Sequence, residues 1–348
     1  MTDNGRRKSG PCGPPTLWNE TRLVASFSFS LDDVTFLGSD LRRPECVLAT
    51  ARGHLFCADA RGGVVVLDPD GGEHYRGART PEGEAPRFRP NGVALLPDGG
   101  LLFANLGAEG GIWRIDPATG ETAPFLMEVE GRPLLGANFV VLDDRGRLWI
   151  TVSTTPDHRH DFSRTRADGF VVLCDDAGAR VVGDGFIWTN ECRPDPAGEW
   201  LYVNETFGKR LSRLRIAADG SLGQRETVAT FGSGTFPDGL AFDAEGGVWV
   251  ISVVSNRLIR IGPDGEARIL LEDCEPDHVA AVEAALDDGR LTPALVYDNR
   301  ARRLPNISSL AFGGPDLRTL YLGNISGGPI AVLRESRWRG APPPHWAW

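Results

Sequence analysis

Apolar positions along the chain come in short runs of four to seven residues, broken by Asp-Gly and similar pairs, and this plan recurs six times. Each repeat opens on a polar residue and runs through a short apolar strand to a tight turn. A second strand with an aromatic residue near its centre follows. The repeats read ECVLATARGHLFCAD from Glu45, NGVALLPDGGLLFAN from Asn91 and NFVVLDDRGRLWITV from Asn138. They continue as NECRPDPAGEWLYVN from Asn190, DGLAFDAEGGVWVIS from Asp238 and SSLAFGGPDLRTLYLGN from Ser308. A third strand follows most of them, as in GVVVLDPDGG and GIWRIDPATG, and often a fourth, as in TVATF and ARILL. Asp-Gly pairs supply the positive φ of hairpin turns, and the β-branched and aromatic runs between them suit strands. Four strands per repeat, at a period of roughly 40–50 residues, predict an all-β, six-bladed β-propeller with four-stranded antiparallel blades. The leading residues stand 46, 47, 52, 48 and 70 positions apart. The predicted propeller spans residues 17–338, between an N-terminal arm (1–16) and a C-terminal tail (339–348).

A propeller has to close its ring. Residues 23–31, LVASFSFSL, alternate strictly, with Ala25, Phe27, Phe29 and Leu31 on one face; this strand is expected to complete the last blade. Two stretches interrupt the repeat. Residues 154–167 are polar and basic, and residues 273–304 account for the long final spacing. The second contains the one convincing helix, His278 to Leu286, with Asp277 as its N-cap. Insertions of this kind emerge on one face and shape binding mouths, so both are candidate lids. The tail GAPPPHWAW reads as an extended arm, packed or disordered.

Composition sharpens this picture in three places. The 43 glycines and 25 prolines against 2 methionines fit strands and turns rather than long helices. A net charge of −10, with both signs mixed along the chain, argues against nucleic acid and suits a cation site. No stretch reaches the ~20 apolar residues of a membrane span, and the basic start has no apolar run to make it a secretory signal. The six cysteines lack CxxC spacing and are expected to be reduced thiols in a cytoplasmic protein.

The first strand of a propeller blade lines the axis, so the six leading residues converge at the channel mouth. They are Glu45, Asn91, Asn138, Asn190, Asp238 and Ser308: two carboxylates, three amides and a hydroxyl, all hard oxygen donors. Calcium takes six to eight such oxygens; zinc would recruit His or Cys, absent from this register. Alone, Asn91-Gly92 or Asp238-Gly239 is an ordinary turn former. Repetition in all six blades favours a shared site, because a carboxylate opening an inner strand is otherwise hard to explain.

These residues resemble the SMP-30/gluconolactonase/LRE family of six-bladed propeller hydrolases, over about residues 40–335. The resemblance rests on Pro44-Glu45, Thr189-Asn190, PDGLAFDAEGGVW from Pro237, and SLAFGG from Ser309. It implies Glu45, Asn190 and Asp238 as ligands of one divalent metal ion. That ion is calcium by expectation, with zinc, manganese and magnesium as alternatives. It also implies Asn138 as a ligand, direct or through a water beside the substrate. Many sugar-lactone members carry Arg-x-Asn-Asp before the third inner strand. Here the stretch is Gly136-Ala137-Asn138-Phe139, which implies a less polar or differently shaped pocket.

The expected activity is metal-dependent hydrolysis of a small lactone, sugar-derived or otherwise. The metal polarises the carbonyl, and Asp238 activates water, with Glu45 as the alternative base. Asn138, Asn91, Phe139 and Trp188 are the candidate substrate contacts, although Phe139, Phe186 and Trp188 read equally as core. Hydrolysis of a phosphotriester or fluorophosphate at the same site, or a non-catalytic propeller with structural calcium, are the competing readings. No GxSxG, HExxH, P-loop or GxGxxG is present. His158 and His160 could reach the mouth, though loop histidines are more often merely exposed.

Overall fold

The computed structural model describes residues 27–81, 84, 87–155 and 161–348. The chain forms six four-stranded antiparallel sheets, each built from strands in sequence order except the last. The innermost strands are Val47–Ala49, Pro90–Leu95, Ala137–Leu142, Thr189–Pro194, Phe236–Phe242 and Ile307–Gly313. They touch one another in a closed ring, which defines a propeller axis. Inner strands are buried almost throughout, whereas outer strands such as Glu73–Gly77 and Leu222–Thr230 are largely accessible. This polarity gradient explains why the repeat is most legible in its first strands. Aromatic rings fill the core; Trp149, Trp249, Phe56, Phe103 and Phe186 are fully buried.

The Asp-to-Trp spacing shared by blades three and five is a locking device. Asp243 accepts hydrogen bonds from the Glu245 and Gly247 amides (2.9 and 2.8 Å), the Trp249 indole (2.8 Å) and Arg260 (2.7 Å). Asp143 does the same for Arg145, Arg147 and Trp149. One carboxylate thus closes the turn and pins the ring of the next strand.

Ring closure differs from the sequence expectation. The strand that completes blade six is Thr35–Leu37, pairing with Ile330–Leu333, and not residues 23–31. Leu31–Asp33 is a 3-10 turn, and Phe29 donates its amide to Leu270 O in blade five. Residues 23–26, like the 1–16 arm, lie outside the described residues. Alternation marked a half-buried segment correctly, but Phe27 and Phe29 pack edge-on to each other beside Trp338 rather than entering a ladder.

The 273–304 insertion folds as helix α1 (Pro276–Asp287) and helix α2 (Pro293–Tyr297). The N-cap of α1 is Glu275, not Asp277: its carboxylate accepts from the Asp277 and His278 amides, and Pro276 takes the first helical position, where no amide is needed. Cysteine usage also departs from expectation. Cys46, Cys57, Cys174 and Cys192 are free, but Cys274 is disulfide-bonded, which removes the cysteine argument for a reducing compartment. Among the described residues no helix is long and apolar enough to cross a membrane.

The tail packs. Ala341 donates to Phe242 O (2.9 Å), Trp346 O accepts from Ala51 (2.8 Å), and the Trp348 ring meets Phe56 edge-on. With the far ends of the inner strands it encloses a cavity of about 170 Å³, lined by Ala49, Val141, Pro194, Phe312, Pro343 and His345 among others.

Candidate metal centre and active site

The leading residues of the repeats meet at the opposite end of the channel from that cavity. Glu45, Asn91, Asn138, Asn190, Asp238 and Ser308 are each at most 6% exposed. A local device places five of them. Register shifts fall between Pro90 and Val93, Ala137 and Phe139, Thr189 and Cys192, Pro237 and Leu240, and Ile307 and Ser309. Each shift brackets the leading residue, and a bulge of this kind releases a residue from its ladder and re-aims its side chain. The glycines after Asn91 and Asp238 are not turn residues. A Cβ on Gly92 would stand 2.6 Å from Phe139 Cα, and one on Gly239 would stand 2.5 Å from Ser309 Cα. Only glycine lets neighbouring inner strands approach this closely.

Hydrogen bonds then sort the six. Asn91 Nδ2 donates to Glu45 Oε1 (3.0 Å) and to Asn138 O and Oδ1 (3.0 and 3.2 Å), while its Oδ1 accepts from Arg43 (2.7 Å). Its amide is therefore occupied within the protein. Asn190 Nδ2 donates to Thr206 Oγ (3.0 Å), whose own proton goes to Pro237 O (2.8 Å). Thr206 thereby fixes which way the Asn190 amide faces. Asn204 holds the Asp238 and Gly239 carbonyls, and Ser308 Oγ donates to Glu45 O. After these bonds, Glu45 Oε2, Asn190 Oδ1 and Asp238 Oδ1 remain buried without any partner.

Charge is equally unbalanced. Burial pushes the Asp238 carboxyl well above its ordinary range, and the Glu45 and Glu191 charges push it further. Burial likewise raises Glu45, against the opposing pull of Arg43. Glu191 is 1% exposed and paired with Arg193 (3.3 Å). Burial pushes it up to about 8. Three carboxyl groups crowd one desolvated space with unbonded oxygens, a setting that favours a cation. The donor set therefore fits a hard divalent ion. Among the described residues no three His, Cys, Asp or Glu side chains form a metal-like group; the set here is two carboxylates completed by an amide.

The remaining expected residues fall into different surroundings. Phe139 is 1% exposed in the inter-blade core, with the Arg193 guanidinium 5.0 Å above its ring. Phe186 is also core. Trp188 is half-buried and packs with Phe162 and Phe207, and this cluster continues into α1 and α2. Both helices therefore cover the end of the barrel that carries the site. Glu283 of α1 pairs with Lys209, with Arg164 (2.7 Å) and with the Gly234 amide (2.5 Å). His158 and His160 lie outside the described residues. Sequence reasoning missed Arg43, Asn204 and Thr206. The recurring polar residue at or beside the end of each second strand (Asp59, Asn105, Ser153, Asn204, Ser252, Asn324) was the available signal for Asn204.

A family model described as SMP-30/Gluconolactonase/LRE-like region matches residues 43–272. A curated relative, 6-deoxy-6-sulfogluconolactonase of Pseudomonas putida, is 29% identical over 183 residues, 52% of this chain and 51% of the relative. The chain thus spans about half the length of that relative. A gluconolactonase structure from Xanthomonas campestris superposes with a TM-score of 0.62 at 18% identity, covering 86% of this chain and 88% of that one. A calcium-binding protein, regucalcin, of Agrobacterium tumefaciens superposes with a TM-score of 0.60 at 19% identity, covering 90% and 97%. At these identities the structural likeness speaks for the fold, while the match over most of the chain establishes descent: this protein belongs to the SMP-30/gluconolactonase/LRE-like family.

Proposed function

We propose that the protein hydrolyses a small lactone at the site formed by Glu45, Asn190 and Asp238, with Asn138 beside it. The observation that carries this reading is the trio of buried, unbonded oxygens on those three residues. They would hold a divalent ion, calcium first by the hardness of its donors. Bound there, the ion supplies Lewis acidity toward the lactone carbonyl. The Asp238 carboxylate oxygen not committed to the ion would take a proton from the attacking water as the oxygen–carbonyl bond forms, and return it to the ring oxygen as the ester bond breaks. Glu45 is the alternative base. Asn91 keeps Glu45 and Asn138 in register, a positioning role. Trp188, Phe162 and Phe207 limit water at the mouth. The gluconolactonase relatives support the substrate class.

The deep burial of all three residues favours one competing reading, a non-catalytic propeller in which calcium is structural. Both are tested by a pH-indicator screen of varied lactones on metal-stripped protein, with calcium, zinc, manganese or magnesium added back. Asp238→Ala is expected to abolish hydrolysis and metal retention together. Metal retention without hydrolysis of any lactone by the unaltered protein supports the structural reading, and a fully active Asp238→Ala protein overturns both assignments.

A further inference from the structure

Most buried and half-buried arginines on these blades are paired with a carboxylate. Arg147 meets Asp143, Arg193 meets Glu191, Arg210 meets Glu205, and Arg260 meets Asp243. Arg43 and Arg89 break this pattern. Neither makes an ion pair among the described residues, and the two guanidinium groups are close enough for their charges to oppose each other. Arg43 spends its terminal nitrogens on Pro90 O (3.2 Å) and Asn91 Oδ1 (2.7 Å), leaving Nε buried without an acceptor. Its backbone is held at φ 53, directly before Pro44. A non-glycine residue is strained there and persists where the surroundings impose it, often at ligand sites.

Arg89 is pinned by its backbone alone. Its amide donates to Asn105 Oδ1 (2.8 Å), and its carbonyl accepts from Leu106 (3.0 Å). Its side chain makes no hydrogen bond among the described residues; its guanidinium lies 5.1 Å from the Tyr297 ring centre. Tyr297 ends α2, so the covering insertion contributes one wall. The Glu45 and Asp238 charges oppose that of Arg43, and a divalent ion held by those carboxylates would leave the two guanidinium groups, beside Tyr297, as half of an ionic site. The missing half is an oxyanion, which guanidinium groups recognise through planar paired donors.

We infer that Arg43, Arg89 and Tyr297 form an anion subsite that selects lactones bearing a terminal sulfonate or phosphate group. Arg43 is two hydrogen bonds from Glu45, through Asn91. That places the subsite beside the reacting end at a separation of small-molecule scale. The inference rests on the proposed lactone chemistry for its substrate, but not for its anion.

Two measurements test it separately. The first compares hydrolysis of a neutral aldonolactone with the same ring carrying a 6-sulfonate or a 6-phosphate. The kcat/KM of the unaltered protein is expected to favour an anionic ring at least tenfold. Arg89→Gln is expected to remove most of that preference, and Arg89→Lys to retain part of it. The second measures calorimetric binding of a 6-sulfonated pyranose, which has no lactone bond, to protein with and without calcium. Its affinity is expected to fall with salt and to drop at least tenfold in Arg89→Gln. Hydrolysis without anionic preference, or equal binding of sulfonated and neutral sugars, overturns the subsite and leaves the lactonase reading standing. Salt-dependent sulfonate binding without hydrolysis supports the subsite and counts against the reaction.

Discussion

Asn190 illustrates how little of a residue's role lies in its own side chain. The amide could face either way; the Thr206 hydroxyl, committed to Pro237 O, makes Asn190 donate its nitrogen and turns its oxygen inward. Glu191, one position along, has the opposite fate. Its carboxyl keeps a proton in the fold up to about pH 8, while the unfolded chain releases it near 4.5. Between those values the native state holds more protons, so this group makes stability fall as pH rises from about 4.5 to 8, with no further change above. Glu191→Gln removes that penalty. The melting temperature of metal-free protein is expected to rise in this variant at pH 8, with the gain shrinking toward pH 5. A pH-independent difference would show that the carboxyl is ionised in the fold.

At the scale of elements, the family-like PDGLAFDAEGGVW stretch divides into two jobs. Asp238 supplies an unbonded oxygen to the channel, whereas Asp243 and Trp249 lock the first two strands of blade five together. Burial opposes the charge on Asp243, but its bonds from Arg260, Trp249 and Gly247 outweigh burial and hold it below its ordinary value. Its contribution is therefore complete above about pH 4 and is lost as pH falls through the lowered value. Trp249→Phe deletes the indole donor and leaves a void beside a buried carboxylate. A loss of about 1–3 kcal/mol is expected by denaturant unfolding, with the fold retained. A variant as stable as the parent would mean the indole bond contributes nothing net.

For the whole molecule, closure decides whether six blades behave as one unit. Thr35–Leu37 supplies the outer strand of blade six, whose other three strands come from the far end of the chain. Deleting the chain through Asp33 keeps that strand, while deleting it through Gly38 bares the Ile330–Leu333 edge. The second truncation is expected to lower the melting temperature by several degrees more than the first and to promote association through the open edge. Equal melting temperatures would show that the pairing carries no stability.

The chain by itself determined the six-fold repeat, the propeller and the identity of the residues that open each inner strand. These are written in period and residue type, which survive without coordinates. Three things needed the folded molecule. The closing strand was one, because Thr35–Leu37 is too short and too exposed to show a pattern. The division among the six polar residues was another: Asn91 and Asn190 are chemically identical, and their neighbours Arg43 and Thr206 make one a clamp and leave the oxygen of the other unbonded. The third was the disulfide at Cys274 and the burial of Glu191. Proximity and desolvation are properties of three-dimensional packing, and no linear spacing encodes them.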